Sequence, residues 1–335
     1  MYQQYNLEQS ISLNLIDDTI EQRDFCYSLS FNKDNSLLIT NNENEILIWN
    51  FKNGKMELNQ RVTEHSKDVN CLLFSKKNNN FISGSNDNSV RCWKQITVNK
   101  WISSKEFEHI GYVYCLLLNQ NENQLISGTF YGQINIWNID FENKDNELKL
   151  IQTLDKHNNT VYSLSLNKSE TQFISCSKDQ TIVVWGLGEN KLWEFQYIVK
   201  QSNIDFGCKV HFMNNNQFIW VDGGQESTDC IYTFEQKDGV FQEIPNGKVQ
   251  LIKNQSFNDV FSFPIQYQEQ ENIMIIRHKT HIYVIQIQKN GQLKICGQLN
   301  CQTNVIFGIL SNDAKYLVLK SNLNNKYMIY EVKQL

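Results

Sequence analysis

Short apolar runs alternate with polar turns along the whole chain, and they carry the two-residue period of strands rather than the period of helices. The runs VNCLLF (69–74), YCLLL (114–118) and YSLSL (162–166) each lead through a polar turn to a second run, FISG (81–84), QLISG (124–128) or QFISC (172–176). A third run follows and closes on tryptophan, and a histidine precedes each set. The separation from His65 to Trp93, from His109 to Trp137 and from His157 to Trp185 is 28 residues in every case. Three copies sharing one internal ruler predict a repeat architecture.

The closing strands extend the repeat in both directions. ILIW ends at Trp49, VRCW at Trp93, INIW at Trp137 and IVVW at Trp185, and IYTF, IYVI and YMIY follow at Phe234, Ile285 and Tyr330. Neighbouring ends lie 44, 44, 48, 49, 51 and 45 residues apart, the length of a four-stranded blade. The reading is therefore all-β: a seven-bladed β-propeller of four-stranded antiparallel blades, forming a single domain over residues 1–335. Fourth, outer strands fall at 55–62, 100–107, 148–154 and 191–199, where Trp101 and Trp193 are expected to cover the outer blade surface. Asn-rich runs at 76–80 and 119–123 are expected to use the left-handed tolerance of Asn in turns. The last blade runs out of chain before its fourth strand, while an orphan segment, SISLNLI (10–16), precedes the first repeat. Pairing the two would close the ring and remove an exposed sheet edge. The charged tract 140–149 then reads as a loop inside a repeat rather than a linker.

Polar positions recur in step with the strands. His65, Ser83, Asp87 and Trp93 return as His157, Ser175, Asp179 and Trp185. A buried indole N–H needs an acceptor, which a serine hydroxyl supplies, and a histidine can bridge that serine to the aspartate. The set is read as a structural network. Its catalytic alternative fails because the Trp consumes the Ser and no nucleophile elbow is present.

With these residues in place, the chain resembles the WD-repeat family of β-propellers, strongly over residues 26–186 and only in strand pattern beyond. The first blade has Gln22 for the histidine and keeps Thr40, and the third has Tyr131 where the turn aspartate belongs. The resemblance implies an interaction platform whose partners dock on the top face, at three positions per blade. These are Asp68, Asn70 and Asn86 in blade two; Tyr112, Tyr114 and Phe130, beside Tyr131, in blade three; Thr160, Tyr162 and Lys178 in blade four; and Asp24 and Tyr27 in blade one. The concentration of Tyr and Phe in blade three suits an anchor site, and the nearby Asp24 and Asp68 suit a basic or methylated-lysine peptide. The alternative is that these rings simply pack among themselves. The acidic segment 222–229 of blade five is a second top-face feature, read as a solvated hairpin or a cap.

Composition narrows the classes further. A net charge of −5 with dispersed Lys and Arg argues against nucleic acid as the partner. The N-terminus MYQQYNLEQS has no secretory pattern, and no apolar run reaches membrane-span length. Nine cysteines without C-x-x-C spacing read as reduced structural residues of a cytoplasmic protein, with Cys71 and Cys115 as small fillers in a register that holds Ser28 and Ser163 elsewhere. His278 and His281 are a weak metal candidate, and no metal or cofactor is assigned. The leading expectation is a non-catalytic scaffold or adaptor, either alone or within a larger complex, binding a protein or peptide. The alternative is a structural subunit that uses blade edges and the bottom face, with an enzyme in the channel mouth a distant third.

Overall fold

The computed structural model describes residues 10–141, 148–224, 228–255, 257–260 and 263–335. Seven antiparallel sheets stand in a ring, and the described residues include no helix. Each predicted closing residue lies in the third strand of its blade, from Glu45–Lys52 in blade one to Lys326–Gln334 in blade seven. Ile11–Asp17 pairs with that last strand from Ile11 opposite Gln334 to Asp17 opposite Ile329, so the orphan segment is the outer strand of blade seven. Ser10 N–H also donates to the Cys296 carbonyl of blade six.

Blades stack through their sheet faces, and each core cluster mixes residues of two neighbours. Ile39, Ile46 and Ile48 of blade one pack with Leu72, Phe81 and Trp93 of blade two. The expectation for Trp101 and Trp193 is corrected here. Both are buried, Trp101 against the isoleucines of blade one and Trp193 against Ile126 and Ile134 of blade three. Their indole N–H groups donate to Asn79 O and Gln124 Oε1. Alternation along an outer strand turns every second side chain toward the preceding blade, and these two occupy that side.

The outer strand of blade two differs from its expected extent, 100–107. In blade two the strand divides into Lys100–Ser103 and Phe107–Glu108, both paired with Ser89–Thr97. Ser104 makes the break: its N–H donates to Cys92 O, and its Oγ accepts from Cys92 N–H. Blade five divides in the same way, into Val240–Glu243 and Val249–Gln250. In the asparagine runs, the left-handed residue of 119–123 is Glu122, and none occurs in 76–80. There the asparagines act through side chains: Asn119 Oδ1 accepts from Asn123 and Gln124 N–H, and Asn78 Oδ1 from Asn80 N–H. Of the tract 140–149, residues 142–147 lie outside the described residues, as do 1–9.

The inner strands explain the Cys/Ser register. Ser28 Oγ accepts from Leu72 N–H at 2.9 Å, and Ser163 Oγ from Val210 N–H at 3.3 Å, each in the next blade. The thiols of Cys71 and Cys115 lie against Val113 O and Val161 O. A Cβ on Gly84 would come within 2.6 Å of Val113 Cγ1 and 2.7 Å of Cys71 Sγ. Small residues at these positions let adjacent blades approach. All nine cysteines are free.

Ring closure has a buried polar lock. Trp49 Nε1 donates to Thr40 Oγ1 at 2.9 Å, as the retained Thr40 predicts. Tyr327 of blade seven inserts its fully buried hydroxyl between Thr40 Oγ1, at 2.9 Å, and Gln22 Oε1, at 2.7 Å. Gln22 Nε2 reaches Asn41 O at 3.0 Å. The histidine missing from blade one is thus replaced by a glutamine and a tyrosine from the other end of the chain. Tyr327→Phe leaves Gln22 Oε1 without that donor, so we expect it to cost roughly 1–3 kcal/mol. Urea unfolding should show a lower midpoint at unchanged m-value; an unchanged midpoint would show that the lock is redundant.

Candidate functional site: the aromatic mouth of the ring

The polar network takes its full form in blades two and four. His65 Nε2 lies 2.7 Å from Ser83 Oγ and Nδ1 2.8 Å from Asp87 Oδ2, while Trp93 Nε1 donates to Ser83 Oγ at 2.8 Å. For His157, Ser175, Asp179 and Trp185 the same contacts measure 2.7, 2.9 and 2.9 Å. Burial pushes the Asp87 and Asp179 carboxyls up. The bonds from His65 and His157, and from Ser89 and Thr181, outweigh it and hold both well below the usual carboxylate range. Neither serine is placed as a nucleophile, since each Oγ is buried and already holds an indole N–H.

Blade three departs because of Tyr131. His109 still meets Ser127 Oγ at 2.7 Å, and Trp137 donates to the same oxygen. Its Nδ1, however, faces the Phe107 carbonyl at 3.2 Å instead of a carboxylate. Burial lowers the His109 pKa to about 4. Tyr131 points outward, 63% exposed, with its ring lying over Gly111, where a Cβ would come within 2.5 Å. Loss of the clasp aspartate therefore releases the turn to present an aromatic ring.

The top-face positions meet in pairs. Asn86 N–H donates to Asp68 O, Phe130 N–H to Tyr112 O, and Lys178 N–H to Thr160 O. In blade one the same bond runs from Glu43 N–H to Phe25 O, so Phe25 rather than Asp24 stands in register with Asp68 and Tyr112. Phe25 lies three residues after Gln22, as Asp68 lies three after His65, and the shortened turn comes later, between Thr40 and Trp49. Asn70 donates to Asn86 Oδ1 and to Val113 O, Asp68 is half-buried, and Lys178 is exposed.

The rings form two connected groups. Tyr131, Tyr112 and Tyr114 each meet Phe130, with centroids 5.1, 5.5 and 6.2 Å away; Tyr114 also meets Tyr162 at 6.5 Å, and Tyr162 meets Phe206 at 6.4 Å. On the facing side Phe25 stacks on Tyr27 at 5.7 Å, and Tyr27 meets Phe307 edge-on. Tyr27, Tyr114 and Tyr162 line the head of an axial cavity of about 160 Å³, with Cys71, Cys115 and leucines below them. Burial, with Tyr112 and Tyr27 nearby, raises the Tyr114 pKa, and burial with Asp68 and Glu43 raises that of Tyr27. Packing among the rings is real, yet Phe25 (45%) and Phe130 (37%) remain open to solvent. Lys67 already holds its ammonium 5.8 Å above the Tyr112 ring.

Sequence reasoning missed Phe25 and Phe206, which a stricter register count could have found. It also missed a buried ionic cluster in blades five and six. Lys209, Asp259, Arg277, His278, Lys279 and Asp229 are all buried there, and Lys209 and Arg277 both pair with Asp259, the latter at 2.8 Å. Asp229 binds His278 and Lys279 at 2.8 and 2.7 Å. Burial pushes the Asp259 carboxyl up, but Arg277 and Lys209 outweigh it and hold it far below the ordinary range. His278 is therefore engaged by carboxylates, and His281 sits against Thr280 Oγ1 instead. Among the described residues no group of three or more potential ligands is placed to hold a metal. Of the segment 222–229, residues 225–227 lie outside the described residues, while Asp222 is buried and accepts from Cys230 and Thr228 N–H.

The WD domain, G-beta repeat, matches the chain over residues 56–94, 102–138 and 148–186. Each match starts in the outer strand of one blade and ends in the third strand of the next. Three such repeats within a seven-bladed ring are consistent with a WD-repeat β-propeller. Propellers of this family generally serve as scaffolds for protein contacts. No curated protein matches the chain. No helix of the described residues is long and apolar enough to cross a membrane.

Blade three gives the ring a specific acid sensitivity. The unfolded chain protonates His109 near 6.5, whereas the folded chain resists down to about 4. Stability from this group is therefore complete above 6.5 and falls as pH drops through that window. At pH 5 the loss approaches roughly 2 kcal/mol. Tyr131→Asp restores a carboxylate opposite Nδ1, so its urea midpoint should fall less than wild type's between pH 7 and 5; equal falls would mean the new carboxylate does not reach the ring.

Proposed function

We propose that the protein is a non-catalytic scaffold, acting as one domain over its whole length. Its partner, a protein or peptide segment carrying a basic or methylated lysine, docks on the top face. Tyr112, Tyr114, Phe130 and Tyr131 form the anchor, Tyr27, Phe25 and Tyr162 the wall, and Asp68 and Lys178 the charged margin. One observation carries the reading: a contiguous, partly exposed set of rings gathers at the one blade whose turn has exchanged its clasp aspartate for tyrosine. Lys67 over Tyr112 illustrates the contact that an incoming cation would make. The wall is held by packing before any partner arrives, which limits the entropy lost on docking. A cytosolic setting accords with nine free thiols.

A second reading, a subunit held by blade edges, draws on the apolar groove between the outer strands of blades four and five. Ile198 and Val240 are exposed there beside Tyr197, Phe241 and Pro245. The two readings separate on one experiment. Wild-type protein and Tyr114→Ala/Phe130→Ala are compared against an array of basic and trimethyllysine peptides, and by affinity purification from the native cell. We expect the double variant to lose at least about thirtyfold in affinity, since anchor rings at such sites carry roughly 2 kcal/mol or more. Equal peptide binding and an unchanged set of co-purified proteins would remove the top-face reading and leave the blade-edge one.

A further inference from the structure

Among the described residues, blade six lacks the upper part of its inner strand. Its first strand is only Gln266–Gln268, whereas its second, Ile273–His278, continues to the top face. Arg277 and His278 pair with Ile282 and His281 of the third strand but have no partner on their inner side, where an ordinary blade would supply backbone acceptors. Residues 258–260 of the preceding connection fill the gap. Arg277 donates to Val260 O, and its other nitrogen donates to Asn304 O at 3.0 Å. Lys279 N–H donates to Asp259 Oδ1 at 3.1 Å, and Lys209 of blade five also reaches Asp259 and Val260 O.

The same residues bridge the two ends of the aromatic wall. Asp259 N–H donates to Gly223 O, and Gly223 N–H to the carbonyl of Phe206, whose ring meets Tyr162. On the other side Asn304 Nδ2 donates to Asn258 O, and Val260 packs into the core cluster of Cys26, Leu29 and Phe307, whose ring meets Tyr27. Asp259 is fully enclosed by Lys209, Arg277 and His278, so this bridge is fixed by charge rather than by a sheet ladder.

We infer that the Asp259 cluster is a positioning element of the mouth: an ionic keystone that replaces the missing inner strand of blade six and sets where Tyr162 and Tyr27 stand relative to each other. It makes no contact with a partner itself. The inference rests on the aromatic mouth being the docking site, but its primary test uses the free protein.

Asp259→Asn removes the charge that Lys209 and Arg277 share. Arg277→Lys is milder, since it keeps a cation beside Asp259 but gives up the forked reach to Val260 and Asn304. Asp259→Glu is the conservative rescue. Ring resonances of selectively labelled Tyr and Phe are followed by NMR, with the Trp93 indole as a distant reference and melting curves as a check of folding. We expect the Tyr162, Phe206 and Tyr27 signals to shift or broaden in Asp259→Asn and Arg277→Lys and to return toward wild type in Asp259→Glu, with Trp93 unmoved. Unmoved Tyr162 and Tyr27 signals in folded Arg277→Lys would overturn the inference, as would uniform shifts that include Trp93. Peptides retained by wild type are then titrated against Arg277→Lys, with at least tenfold weaker binding expected and unchanged binding counting against it. If no peptide binds wild type, the docking reading fails while the ring signals still decide whether the cluster positions the mouth.

Discussion

The pairing of Ile11–Asp17 with Lys326–Gln334 joins the two ends of a chain whose every blade depends on a neighbour at each face. A four-stranded sheet with both faces apolar cannot bury them alone, and an open stack would leave one face of the first blade and one of the last in water. Closing the ring removes both. The core clusters show the consequence, since each draws its side chains from two blades and the cluster around Cys26 and Leu29 is completed by Phe307, Val318 and Ile329 from the far end of the chain. Tyr327 adds a buried hydrogen bond to the same seam. Closure by an outer strand alone would leave the inner layers free to shear. A tyrosine reaching the polar core of blade one locks the depth of that contact as well.

Within the closed ring, the blades answer one requirement in different ways. Each second-to-third hairpin buries aromatic rings, and the polar atoms beside them must be paired. Blades two and four use the Trp–Ser–His–Asp chain, blade three stops at the histidine, and blade one substitutes Thr40, Gln22 and Tyr327. Blade five drops the chain and keeps its apolar half: Phe218 stacks on Phe234 at 4.7 Å, as Phe81 does on Trp93 at 5.4 Å and Phe173 on Trp185 at 5.6 Å. Blade five thus has the stack without the chain, while in blades one and three the Trp–hydroxyl bond stands beside Leu38 and Leu125 instead of an aromatic ring, so each half of the design occurs without the other. Where the chain is absent, blades five and six hold their top loops with buried ion pairs, which need complete compensation to be tolerated.

This division explains what the sequence made legible. Blade count, closing residues and ring closure could be read because strand period and repeat length act locally and recur. The His65 and His157 networks could be read because copies of one pattern expose its fixed members. Trp101 and Trp193 could not be placed, because the face an outer-strand residue turns depends on the register of a neighbouring blade. Phe25 slipped by one residue because a count back from Trp49 crosses the shortened turn, whereas a count forward from Gln22 does not. The ionic cluster left no periodic trace at all: Lys209, Asp259 and Arg277 come from an inner strand, a connection and a second strand, and only the fold brings them together.

The same division bears on where specialised contacts can arise. A blade with a complete clasp has its turn aspartate committed to histidine, to the backbone of residue 66 or 158, and to a hydroxyl in the turn. That turn is stiff and chemically occupied. Blade three has surrendered this commitment and is flanked by two blades that have kept it, so its loosened turn is carried on rigid supports. Tyr131 and Phe130 can project into solvent because blades two and four hold the frame on either side, while the ionic keystone holds the opposite rim. Regular blades provide the position, and the irregular ones provide the chemistry; a ring of seven complete clasps would be sturdier and would present no such aromatic mouth.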